Sequence, residues 1–105
     1  MNINLLTFIS SIQNQNNNGT VMMKKFDSDF RPVRGDIIED PGFQPEFHNG
    51  YEVVKVTINY ELNECLVSLQ PLVSNREEIK IENYIQNLKK HGWRVVSKEE
   101  MLYGL

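Results

Sequence analysis

Between Tyr51 and Leu62 the apolar residues Val54, Val56, Ile58, Tyr60 and Leu62 alternate strictly with Lys55, Thr57, Asn59 and Glu61. A period of two places one set on each face of an extended strand. Asn tolerates positive φ, so Asn63-Glu64 is expected to be a two-residue turn, with Cys65 to Val73 as the returning strand. The pairs that follow are Leu62 with Cys65, Tyr60 with Val67, Ile58 with Leu69, Val56 with Pro71 and Val54 with Val73, all apolar. A slip of one residue would turn the whole set into water, so the pattern specifies a register as well as two strands. On this reading Tyr60 and Cys65 belong to the core, and the lone thiol is raised in pKa and inert.

Around the hairpin the pattern is weaker. Leu5, Phe8, Ile9 and Ile12 recur at three- and four-residue spacing, which predicts a helix over Ile3 to Gln13, capped by Asn2 or Asn4. Asn14 to Gly19 reads as a polar linker, so residues 1–20 are expected to be a loosely attached helix and linker preceding a β-rich domain over 21–105. Translation starting at Met22 or Met23 would still supply that domain. Val21 to Phe26 predicts a strand. Pro32, Gly35, Pro41, Gly42, Pro45 and Gly50 restrict the next stretch to loop with a short strand at Asp36 to Glu39.

From Ser74 the pattern divides. Ser74 with Glu77 and Asn75 with Glu78 both fit a capping box opening a single helix, whereas Ile79 and Ile81 are spaced like a strand. The favoured reading is a short strand at Glu78 to Ile81, then a helix over Glu82 to Lys90 with a stripe of Tyr84, Ile85 and Leu88. Gly92 is its left-handed stop, and Trp93 folds back on the last turn. A strand at Arg94 to Val96 follows, and Ser97 with Glu100 fits a capping box opening a terminal helical turn. The fold class expected is α+β: a small, mostly antiparallel, SH3-like barrel or strongly bent sheet, with one helix at each end of the chain. Architecture of this kind does not determine function.

With 105 residues, 40% of them hydrophobic and 24% charged, the chain has material for one core of ordinary composition. One cysteine forms no internal disulfide, which points to a reducing, cytoplasmic setting. No apolar stretch is long enough for a membrane span. Twelve asparagines and no alanine suggest AT-rich coding, and with the short length suggest a phage or mobile element as the source.

The same composition narrows the chemistry. Two histidines 43 residues apart and one cysteine give no zinc pattern, and the acidic residues Asp27, Asp29, Asp36, Glu39, Asp40 and Glu46 lack the twelve-residue calcium spacing. No glycine-rich phosphate cradle occurs. Neither His48 nor His91 pairs convincingly with Cys65, and Arg34-Gly35-Asp36 reads as a turn. No catalytic residue, metal or cofactor is therefore expected, and the chain reads as a non-enzymatic accessory or regulatory protein.

Two interaction surfaces remain. Between Asp27 and Tyr51 six acidic side chains stand against two basic ones, interspersed with aromatics. Aromatic anchors inside a charged rim suit a protein partner, with Phe30, Asp36, Glu39, Asp40, Phe43 and Phe47 as the contact set, although the same aromatics would equally pin the loop to the barrel. The alternative is nucleic-acid binding through Lys89, Lys90 and Arg94 with Trp93 as a stacking platform. The net charge of −3 argues against it.

Overall fold

Ile3, Leu5, Thr7 and Ile9 are all buried, whereas Asn2, Asn4, Leu6 and Phe8 are only half-buried or exposed. That alternation makes the N-terminal segment a strand, β1 (Asn2–Ser11), and not the expected helix. Three- and two-residue periods both fit a segment this short. β-Branched Ile3, Thr7 and Ile9 favour the pleated surface, and strands on both sides decide the outcome. The computed structural model describes residues 1–11, 19–44, 50–74, 78–97 and 100. The polar run over 12–18, which held most of the expected linker, lies outside the described residues, as do residues 101–105.

β1 pairs antiparallel with β2 (Thr20–Asp27) and parallel with β5 (Glu64–Leu69). β2 pairs with β7 (Arg94–Val96), while β5 continues to β4 (Tyr51–Asn59) and β3 (Ile37–Ile38). The order is β3-β4-β5-β1-β2-β7, with β6 (Leu72–Ser74) also beside β1. The sheet curls into a half-barrel, and with the helix Glu78–Lys90 packed on it the domain is α+β. In the expected SH3-like layout this segment packs outside the barrel as a helix; here Asn2–Ser11 is a central strand of the sheet.

β5 and β6 follow the same edge of β1 with one residue inserted. Leu6 lies opposite Ser68 and Ile9 opposite Leu72, three steps on β1 against four on its neighbour. Pro71 sits in that interruption, where its missing N–H costs no ladder bond. The expected pairing of Val54 and Val56 with Val73 and Pro71 therefore does not form.

The hairpin itself is present with a different turn. Asn59 lies opposite Glu64 and Ile58 opposite Cys65, so the connection is the four residues Tyr60 to Asn63. Asn59 Oδ1 accepts from Leu62 N–H at 3.2 Å, and Asn63 has φ of 52°. An Asn side chain that closes its own turn in this way ends the strand three residues before the apolar alternation ends. Tyr60 and Leu62 are consequently in solvent, 85% and 63% exposed, and not in the core. Cys65 is buried as expected, and burial pushes its thiol pKa up.

The helix α1 runs Glu78–Lys90, so the expected strand at Glu78 to Ile81 is its first turn. Ile81 falls in register with Tyr84 and Leu88, and all three are buried against the sheet. Its C-terminus matches expectation. Gly92 has φ of 92°, Gly92 N–H donates to Lys89 O at 3.4 Å and Trp93 N–H to Leu88 O at 3.1 Å, the paired bonds of a Schellman stop. At the far end of β7, Glu100 N–H donates to Ser97 Oγ at 3.2 Å. Among the described residues no helix is long and apolar enough to cross a membrane.

Inside the core three hydroxyls lie under α1. Tyr51 and Tyr84 hydroxyls are 3.0 Å apart, and burial raises both phenol pKa values. The Thr7 hydroxyl, on a residue only 1% exposed, has no partner at full hydrogen-bond geometry among the described residues, although it lies close enough to the Tyr51 hydroxyl to offset part of that phenol's upward pKa shift. An unsatisfied buried hydroxyl costs about 1–3 kcal/mol. Thr7→Val keeps the shape and is expected to raise stability by about 1 kcal/mol in urea unfolding. A loss of that size would show that Thr7 does hold Tyr51.

Candidate functional site

Leaving β2, the chain is tied to the start of the molecule by Ser28 N–H donating to Met1 O, and Phe30 N–H donates to Ser28 Oγ, both at 3.0 Å. The turn at Arg34-Gly35 is closed by Asp36, whose Oδ2 accepts from Val33 N–H at 2.9 Å. Val53 receives Gly35 N–H on its carbonyl and donates to Asp36 O. Asp36 and Glu39 are exposed, and Phe30 is 86% exposed. Phe47 and His48 lie outside the described residues.

Asp40 and Phe43 turn inward. Phe43 packs edge-on to Tyr51 with ring centroids 4.6 Å apart, and against Trp93 at 5.6 Å. The Asp40 side chain is 8% exposed. Its Oδ1 accepts from Lys24 Nζ at 2.6 Å, and its Oδ2 from Trp93 Nε1 and Gly42 N–H, each at 2.9 Å. Burial alone would raise the Asp40 pKa. The three hydrogen bonds and the Lys24 charge together outweigh it and hold the carboxyl below its ordinary value.

This arrangement changes the meaning of both candidate surfaces. Gly42 lies against Leu88 and His91, where a Cβ would meet their side chains at 3.1 and 3.2 Å. Asn87 donates to Gly42 O at 3.0 Å, and His91 Nδ1 donates to Asn87 O at 2.8 Å. The acidic loop and the basic end of α1 therefore pack on each other. Asp40 and Phe43 do the pinning that was the structural reading of the loop, and they are spent on it.

Of the alternative set, Lys89 and Lys90 are exposed. Trp93 is 3% exposed with its indole N–H held by Asp40, so it offers no stacking platform. Arg94 Nη1 holds both carboxylate oxygens of Glu100, at 3.0 and 2.9 Å. Arg94 and Lys25 also rim a groove of about 280 Å³ on the sheet face opposite α1, lined by both polar side chains such as Asn4 and Thr57 and apolar ones such as Met23 and Leu66. Stacking aromatics are missing from its lining.

What the alternation concealed is an apolar end to the sheet. Asn2 N–H donates to Asn63 O at 3.0 Å, which brings the hairpin turn beside the N-terminus and hence beside the 28–30 segment. Phe30, Tyr60 and Leu62 thus project at one end of the molecule, all strongly exposed. Exposed Asp29 and Glu61 flank them, with half-buried Glu64 nearby. A legible signal existed in Asn59, a residue that starts turns and interrupts strands. Compared with known families, curated proteins and solved structures, the chain gives no match, so its function is read from this geometry alone.

Proposed function

We propose that the chain is a small non-enzymatic accessory protein that binds another protein through the apolar end formed by Phe30, Tyr60 and Leu62. The observation that carries this reading is the exposure of these three large side chains, 86%, 85% and 63%, on segments held together at one end of the sheet. Clustered exposed apolar side chains mark interaction sites more often than they mark ordinary surface. The acidic flank calls for a partner with an apolar pocket and basic residues around it. Of the loop residues first considered, Phe30 belongs to this proposed site, Asp36 and Glu39 stay on the exposed surface outside it, and Asp40 and Phe43 are engaged with Lys24, Trp93 and Tyr51.

Affinity capture with the immobilised chain tests the assignment. A Phe30→Ala/Leu62→Ala double variant is expected to weaken retention of the captured protein at least about tenfold, since each apolar anchor contributes roughly 1–2 kcal/mol. Its melting temperature should stay at the wild-type value, because neither side chain supports the core. Undiminished capture would remove this end from consideration.

A further inference from the structure

On one side β4 is paired with β5 over Val53 to Asn59. On its outer side β3 covers Tyr51 and Glu52, and the 35–36 segment covers Val53. Beyond that point no described segment lies against the edge. Five of the six residues from Val54 to Asn59 are exposed, and Val56 is half-buried. Val53 directs both its N–H and its C=O outward. The bulge at Val54 resets the alternation, so that Val56 and Ile58 present theirs to the same open side.

We infer that this edge pairs antiparallel with the same edge of a second copy of the chain, about a two-fold axis at Thr57. The register is set by the ends of the open segment: the 35–36 segment blocks one end and the Tyr60–Asn63 turn closes the other. Centred on Thr57, pairing uses Lys55 to Asn59 in each copy and nothing beyond. Val56 then lies opposite Ile58 of the second copy, both on the α1 side of the sheet, and Thr57 lies opposite itself. Lys55 faces Asn59, so no like charges meet. Val56 and Ile58 exchange backbone bonds and Thr57 occupies the close, non-bonded position, as alternation in an antiparallel ladder requires.

Lys55 and the bulge are devices that discourage open-ended stacking. A two-fold pair uses each edge once and closes, so the two observations are compatible. Five residues span only about 17 Å, and the dimer should be weak and concentration-dependent. It does not depend on the apolar end at Phe30 and Leu62.

Sedimentation of the intact chain from about 10 μM to about 1 mM is expected to show conversion from monomer to dimer. Thr57→Arg sets two like charges face to face and is expected to keep the chain monomeric, with an unchanged circular dichroism spectrum. Under mild oxidation Thr57→Cys should form a disulfide-linked dimer, whereas Glu82→Cys on the exposed face of α1 should not. A wild-type chain that stays monomeric throughout, a dimer indifferent to Thr57→Arg, or equal cross-linking by the two cysteine variants overturns the inference. So does a monomer that takes up a strand from a different protein at this edge.

Discussion

A chain that starts at Met22 is expected to remain unfolded, with no cooperative thermal transition and a collapsed spread of amide resonances. Removing residues 1–21 deletes β1, which lies between β2 and β5. Ile3, Leu5 and Ile9 leave the core with it, each at most 2% exposed. Full burial of such side chains contributes about 2–3 kcal/mol apiece, and the whole domain is stabilised by about 5–15 kcal/mol. The backbone loss compounds this, because the facing edges of β2 and β5 would both lose their partner. A cooperatively folded Met22 chain would show that β1 is dispensable, as the amphipathic-helix reading implied.

Asp40→Ala is expected to be the most damaging single substitution in the loop, at about 3 kcal/mol, or a fall of roughly 10–20 °C in melting temperature. It strands the Trp93 indole N–H on a residue only 3% exposed and leaves the Lys24 ammonium, on a side chain 22% exposed, without its carboxylate. The cost comes mainly from those orphaned donors and only in part from a lost attraction. Asp40→Asn keeps an acceptor and should cost less. Because the folded pKa lies below the ordinary 3.8, the carboxylate contributes its full stability above that value and loses it as pH falls through the folded pKa. Wild-type stability should therefore fall more steeply than that of the Asn variant below about pH 4, measured by urea unfolding across an acid series. Parallel curves for the two proteins would mean that Asp40 is not held as an anion.

Local chemistry was legible where a residue acts on its own neighbours. Gly92 as a helix stop, Cys65 as a core residue and the strands at Val21 to Phe26 and Arg94 to Val96 follow from side-chain type and near spacing. The failures share a cause. Leu5 and Ile9 satisfy both periods while Phe8 fits only the helical one, and the strands on either side of β1 decide between them. At the hairpin tip, apolar Tyr60 and Leu62 extend an alternation past the point where the Asn59 side chain has already turned the chain. Asp40 looked like one more loop carboxylate because its partners Lys24 and Trp93 are 16 and 53 residues away. The proposed site followed the same rule, with Phe30 named among the loop contacts and Tyr60 and Leu62 assigned to the apolar face of the hairpin.

The parallel pairing of β1 with β5, Asn2 opposite Glu64, also sets a schedule for assembly. β1 cannot acquire this neighbour until some sixty further residues have been synthesised. The β4–β5 hairpin closes on microsecond scales, but docking β1 onto it requires closing a long loop, and topologies of this kind fold slowly. During translation Ile3, Leu5 and Ile9 would wait in water beside a growing chain. The nascent protein should be most prone to aggregation, or to chaperone capture, in the interval before Leu69 leaves the ribosome.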